Sequence, residues 1–322
     1  MAARRRRQKK RKGNGIRLLI CGIVEILVIL TLVVVIGWNK GVKDWLLSFQ
    51  RPIVRNLDLS GINSPYAVLM QAQGGKIIGE NNAKERIYPA SMTKIMTAIL
   101  AIEEVEDLER GITLTSDMVD GLYAQDATRA GFEPGETVRV IDLLYGVLLP
   151  SGAECCLALA DHIAGSEEAF VDMMNKKAEK LGMDDTHFCD STGLHDPDHY
   201  STVEDIAVLL KYAIRNDTFR EIIESPYHST PPTNVHPDGI TYYSTLFNEL
   251  PDPAVTGGEI LGGKTGYTSD AGLCLASYAR MGDREYILVT AGAPGASGSA
   301  LHVQDAVTIY NRLGEALGAA AA

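Results

Sequence analysis

Apolar positions along this chain fall into three regimes. The first is a block. From Leu18 to Trp38, 21 residues in a row are apolar apart from Glu25 and Thr31. About 20 apolar residues cross a bilayer core as a helix, so the block predicts one membrane span. The second regime is short strand-like runs at both ends of the body that follows. Ala67-Val-Leu-Met-Gln-Ala-Gln reads as a strand, Gly74-Gly75 as a turn and Lys76-Ile-Ile-Gly as the returning strand. Near the other end, Gly258 to Gly263 leads into Lys264-Thr-Gly. Leu273 to Arg280 and Glu285 to Gly292 read as paired strands joined by Met281-Gly-Asp. The third regime has a 3.6-residue period. Met92, Ile95, Met96, Ile99, Leu100, Ile102 and Val105 share one face of a helix predicted over 91–105, with Pro89 at a tolerated place just before it. Further helices are predicted over Val140 to Leu148, from Ser151 through Ile163, over Glu167 to Leu181 closed by Gly182, over Val203 to Ile214, and over Val303 to Leu317. Strands at both ends with helices between them predict an α+β body with an antiparallel sheet.

Charge orients the block. Residues 1–38 hold nine Lys or Arg against one acid, a net +8, whereas the whole chain carries −11, which leaves −19 for residues 39–322. Cations before a span predict a cytoplasmic N-terminus and a body outside the cell. The rival reading, a cleaved signal peptide, needs a shorter apolar region and a small-residue cleavage site; Val33-Val-Val-Ile-Gly-Trp38 offers none that convinces. The acidic body excludes nucleic acid as a partner, because phosphates dominate that affinity. The expected organisation is a basic tail over 1–17, a signal anchor over 18–38, a stalk over 39–64 and a catalytic domain over 65–318. Cys155, Cys156, Cys189 and Cys274 match no zinc spacing and read by default as free thiols, a bridge between distant ones remaining open.

Three motifs can carry chemistry. In Ser91-Met-Thr-Lys94 the serine and lysine, at i and i+3, share a helix face. A serine hydroxyl attacks only when a neighbouring base takes its proton, and a lysine serves when burial or another cation depresses its pKa. Ser151, in Pro150-Ser-Gly, reads on its own as a helix N-cap. Gly262-Gly-Lys264-Thr265-Gly266-Tyr267-Thr reads as a Gly-rich turn or as an exposed strand edge that pairs with an extended peptide. Gly258 to Thr265 also fits the phosphate-loop pattern letter by letter, but no helix pattern follows it.

Taken together, S-x-x-K, S-x-x and K-T-G in this order are the set of β-lactamases and penicillin-binding proteins. The chain resembles the low-molecular-mass penicillin-binding proteins, the serine D-Ala-D-Ala carboxypeptidases of cell-wall metabolism. Pro89-Ala-Ser-Met-Thr-Lys-Ile-Met-Thr-Ala, Gly135-Glu-Thr-Val, Asp142-Leu-Leu-Tyr-Gly, Phe170-Val-Asp-Met-Met-Asn, Thr186-His-Phe, Gly193-Leu-His-Asp and Tyr200-Ser-Thr carry the resemblance across roughly Tyr66 to Asn311. It implies a transpeptidase-like fold: an antiparallel sheet flanked by helices, plus a helical subdomain. It also implies that Ser91 forms the acyl-enzyme, Lys94 takes its proton and Ser151 relays a proton to the leaving amine. Lys264 and Thr265 would hold the terminal carboxylate, with Gly266 beside them, and the N–H groups of Ser91 and Tyr267 would form the oxyanion hole. The implied partners are a peptidoglycan pentapeptide ending in D-Ala-D-Ala, β-lactams as covalent inhibitors, and the bilayer through the N-terminal helix. No cofactor and no metal are called for.

One departure stands out. The family usually has Asn two residues after the second serine, and here that residue is Ala153, followed by Glu154. An Asn carboxamide bonds both a lysine and a substrate amide, and a methyl does neither. Glu154, one residue on in a helix, points about 100° away. Weaker catalysis, or a non-catalytic wall-binding scaffold, is therefore the alternative expectation; a β-lactamase is a further one. His195-Asp-Pro-Asp-His199 has the look of a metal cluster, but Pro197 breaks the helix that would align it. Asp126, Arg129 and Glu133 read as loop charges, and Glu103-Glu104 and Glu167-Glu168 as solvated faces.

Overall fold

Strand side chains alternate between the two faces of a sheet. In β1 (Tyr66–Gln71) Val68 and Met70 enter one core, while Ala67 and Leu69 enter another. Its unbroken apolar run therefore demands cover on both faces, and the rest of the chain supplies it. The computed structural model describes Thr31, residues 54–125 and residues 127–319. The predicted span Leu18 to Trp38, but for Thr31, lies outside them. Among the described residues no helix is long and apolar enough to cross a membrane.

After β1 come β2 (Ile77–Asn81), a 3-10 turn (Ala90–Thr93), α1 (Lys94–Glu104), β3 (Gly111–Thr113), α2 (Asp120–Ala124) and β4 (Thr137–Arg139). A helical run follows: α3 (Val140–Leu148), α4 (Ala153–Ala164), α5 (Glu167–Leu181), α6 (Val203–Ala213) and α7 (Asp217–Glu224). The chain then forms β5 (Tyr227–Ser229), β6 (Thr241–Tyr243), α8 (Thr245–Glu249) and β7 (Ala254–Val255). Three long strands, β8 (Gly258–Thr268), β9 (Gly272–Met281) and β10 (Arg284–Ala293), precede α9 (Leu301–Ala319).

The main sheet has six strands in the order β2-β1-β10-β9-β8-β7, all neighbours antiparallel. The two ends of the chain's body therefore meet at its centre, with Tyr66 opposite Ala291. On one face Ile287 and Val289 pack with Ile95 and Ile99 of α1 and with Leu144, Leu159 and Leu210 of the helical run. On the other, Leu288 and Leu275 pack with Val303, Ile309, Tyr310 and Leu313 of α9. Chain packing starts ahead of β1: Leu59 is buried, and the buried Asp305 accepts hydrogen bonds from the backbone N–H groups and side chains of Asn63 and Ser64 at 2.6–2.9 Å. Cys155, Cys156 and Cys274 are buried free thiols, and Cys189 is free and half-buried.

Candidate active site

The expected helix over 91–105 is regular only from Lys94. Ala90–Thr93 wind as a 3-10 turn behind Pro89, with Ala90 in the left-handed region at φ 47°. The tighter winding serves the chemistry, because residues i and i+3 eclipse each other in a 3-10 turn. Lys94 Nζ stands 3.2 Å from Ser91 Oγ. It also donates to the carbonyl of Thr192 at 2.5 Å. Lys94 is buried, whereas Ser91 is only half-buried and stays open to a ligand.

Ser151 is not the N-cap its sequence suggests. Gly152 occupies that position, and Ser151 is forced into the left-handed region at φ 73°. Its Oγ is buried and has no hydrogen-bond partner among the described residues. A non-glycine residue in that region costs about 1–3 kcal/mol, and an orphaned buried hydroxyl adds to the cost. The helix it precedes lies beside both lysines: Cys156, one turn into α4, has its thiol pushed up to about 12 by burial and feels the charges of both Lys94 and Lys264.

Lys264-Thr265-Gly266-Tyr267 lies on strand β8, paired to β9 from Gly258 to Thr268 and to β7 only at Gly258 and Glu259, so this stretch is a strand edge, and both the turn and the phosphate-loop readings end. A methyl on Gly266 would sit 3.0 Å from Ser91 N and 3.3 Å from Met92 N, so this strand passes directly against the backbone of the serine turn. Lys264 is fully buried; burial, and after it the charge of Lys94, hold its ammonium well below the usual lysine range. It donates to its neighbour's carbonyl, Thr265 O, at 2.8 Å. Thr265 and Tyr267 are half-buried. Ser91, Lys94, Lys264 and Gly266 thus meet from two distant stretches of chain.

Ala153 is buried in the first turn of α4. Glu154 Oε1 accepts from the backbone N–H of Gly131 at 2.8 Å and Phe132 at 3.3 Å, while its Oε2 is buried and has no partner among the described residues. Burial raises its pKa against those bonds.

Several contributors carried no signal of their own. Thr245 Oγ1 lies 2.7 Å from Thr265 Oγ1, and nothing in Ser244-Thr245-Leu announces it. Thr192 supplies a backbone carbonyl, which any residue type offers. Gly193 is required: at φ 82°, a methyl there would fall 1.9 Å from Ala90 O. Its segment was legible only through resemblance. Glu167 is not a solvated charge; its Oε1 accepts from Ser191 N and Oγ at 2.9 and 2.7 Å. Glu103 likewise engages Lys177 and Tyr212. His195 to His199 form a loop, and among the described residues no group of His, Cys, Asp and Glu is placed to hold a metal. Arg129 and Glu133 are half-buried in the loop before β4, and Asp126 lies outside the described residues.

A Ser–Lys turn roofed by a K-T-G strand of a central antiparallel sheet is the architecture of the penicillin-binding and transpeptidase class. The crystal structure of a DD-transpeptidase from Streptomyces superposes with a TM-score of 0.71 at 27% identity, covering 79% of this chain and 98% of that one. The D-alanyl-D-alanine carboxypeptidase family matches residues 54–295, and the chain belongs to it. It is 34% identical over 230 residues to the D-alanyl-D-alanine carboxypeptidase DacF of Bacillus subtilis, covering 70% of this chain and 57% of that one. It is 33% identical over 243 residues to DacC of Escherichia coli, covering 70% and 56%. The chain therefore spans a little over half the length of these relatives.

Proposed function

We propose that this protein is a serine D-Ala-D-Ala carboxypeptidase that removes the terminal D-alanine of peptidoglycan stem peptides. The single observation that carries the reading is Lys94 Nζ at 3.2 Å from Ser91 Oγ, under a strand that presents Lys264-Thr265-Gly266. Ser91 Oγ attacks the carbonyl between the two D-alanines as its proton passes to Lys94 Nζ. The tetrahedral oxyanion takes hydrogen bonds from the N–H groups of Ser91 and Tyr267, each worth about 3–4 kcal/mol in comparable sites. Ser151 passes a proton to the departing amine, D-alanine leaves, and water later splits the ester. Thr265 receives the terminal carboxylate, beside the buried Lys264. β-Lactams acylate Ser91 in the same way.

The basic tail and the apolar block Leu18 to Trp38 support a membrane anchor with an extracellular body. The test is D-alanine release from a pentapeptide by wild type and Ser91→Ala in parallel. Release by both, or by neither, refutes the reading. One observation favours a second reading, a weakened penicillin-binding scaffold: Ala153 stands where the family has Asn. A folded wild type that fails to release D-alanine while its Ser91 is exposed would support it.

A further inference from the structure

The loop over residues 190–199 lies along the start of α1 and the turn before it, and touches them at three places. Thr97 Oγ1 donates to Ser191 O at 2.6 Å, Lys94 Nζ donates to Thr192 O at 2.5 Å, and Thr93 Oγ1 lies 2.9 Å from His199 Nε2. The middle contact bears on the reaction. A neutral lysine amine has two N–H groups and one lone pair. For Lys94 to take the proton of Ser91, the lone pair must face Ser91 Oγ, and an acceptor elsewhere must hold an N–H away from it. Thr192 O is that acceptor, so its direction sets the direction of the base.

That direction is set by Asp190. A trans peptide is planar, with its C=O and N–H pointing opposite ways. Asp190 Oδ1 accepts from Gly193 N at 2.6 Å, which turns the carbonyl on the other side of the same peptide, Thr192 O, toward Lys94. The same oxygen accepts from Thr192 N and Thr192 Oγ1, each at 2.7 Å, so the carboxylate closes the whole turn. Its other oxygen, Oδ2, meets His199 Nδ1 at 3.0 Å, a nitrogen that the backbone N–H of Cys189 also approaches at 3.2 Å. His199 is 2% exposed, edge-on to the Phe188 ring at 5.5 Å, and bound through its second nitrogen to Thr93, one residue before the lysine it serves. The imidazole thus ties the carboxylate that aims Thr192 O to the helix that carries Lys94.

We propose that His199, acting through Asp190, is a positioning residue for proton transfer from Ser91 to Lys94. The inference rests on the reading above that Ser91 is acylated. It fixes the geometry of the chemical step and leaves ligand binding alone. The full chain, acylated with a fluorescent penicillin over a range of concentrations, separates the dissociation constant of the non-covalent complex from the acylation rate constant. His199→Phe keeps a ring against Phe188 and loses both nitrogens. Its acylation rate constant falls about 10- to 100-fold, the effect of sub-ångström misplacement at a reacting pair, with the dissociation constant unchanged. His199→Asn, whose amide restores a polar group near the Nδ1 position, recovers most of the loss. Should His199→Phe fail to fold, Asp190→Asn shows the same selective fall. An unchanged acylation rate constant in these variants, an equal loss of binding, or no recovery in His199→Asn overturns the proposal. A folded wild type that is never acylated instead refutes the functional reading beneath it.

Discussion

Glu154 Oε1 accepts the backbone N–H of Gly131 at 2.8 Å. It thereby pins the loop before β4 onto the first turn of α4, while its other oxygen, Oε2, is buried and has no hydrogen-bond partner among the described residues. Where the family has Asn, the methyl of Ala153 offers no hydrogen bond. Charge-assisted hydrogen bonds are worth about 1.5–3 kcal/mol each, roughly one to two decades in rate. Ala153→Asn is expected to speed acylation by about 10- to 100-fold, read from fluorescent-penicillin labelling kinetics. No gain would mean that another group already does the work.

Ser151 separates stability from activity. Its left-handed backbone, φ 73°, suits glycine, which visits that region freely but loses more entropy on folding, by about 0.5–1 kcal/mol. The net expectation for Ser151→Gly is a gain of about 1 kcal/mol, or about 2–4 °C in thermal midpoint, together with a large loss of acylation. Ser151→Ala keeps the strained backbone and loses only the hydroxyl, so activity falls and stability gains only what the unpartnered hydroxyl cost. Differential scanning calorimetry beside labelling kinetics checks both.

Gly266 lets β8 slide under the nucleophile. A methyl there meets Ser91 N at 3.0 Å and Ala90 Cβ at 3.2 Å, so either the strand or the serine turn shifts by a few tenths of an ångström. Gly266→Ala is expected to slow acylation by about 10-fold or more and to leave secondary structure intact by circular dichroism. An undiminished rate would show that the strand does not border the reacting serine.

Asp190 predicts an acid limb of stability. Burial opposes its ionisation, but the His199 and Thr192 hydrogen bonds overcome that and hold its carboxyl at about 2, against an ordinary value of 3.8. The folded pKa is the lower one, so the stabilisation is present above about pH 4 and is lost as pH falls toward 2, with a size on the order of 2 kcal/mol. Urea titrations of wild type and Asp190→Asn should differ most at neutral pH and converge on acidification. A gap that stays constant with pH would contradict the ion-bonded turn.

Periodicity alone gave the long elements. α3 and α5 match the predicted bounds, and the hairpin at Gly74-Gly75 and the pairing of β9 with β10 follow the predicted runs. Short elements stayed hidden. α7 buries only Phe219, Ile222 and Ile223, two turns' worth of pattern, and the two-stranded sheets β3-β4 and β5-β6 contribute three residues a strand. Side-chain chemistry at Ser91, Lys94 and Lys264 was legible because those residue types are needed there. The parts of the site built from backbone, such as Thr192 O and the left-handed Ser151, were not, since conformation and carbonyl direction are set by distant packing. His199 read correctly as a loop residue, yet its buried bonds to Thr93 and Asp190 needed the tertiary fold to appear.

The most direct check on Ser91 as the nucleophile is intact-protein mass spectrometry after incubation with benzylpenicillin, followed by peptide mapping. A single penicilloyl adduct on the peptide that holds Ser91, absent from a folded Ser91→Ala variant, is the expected result. An adduct elsewhere, or none on a folded wild type, would contradict it.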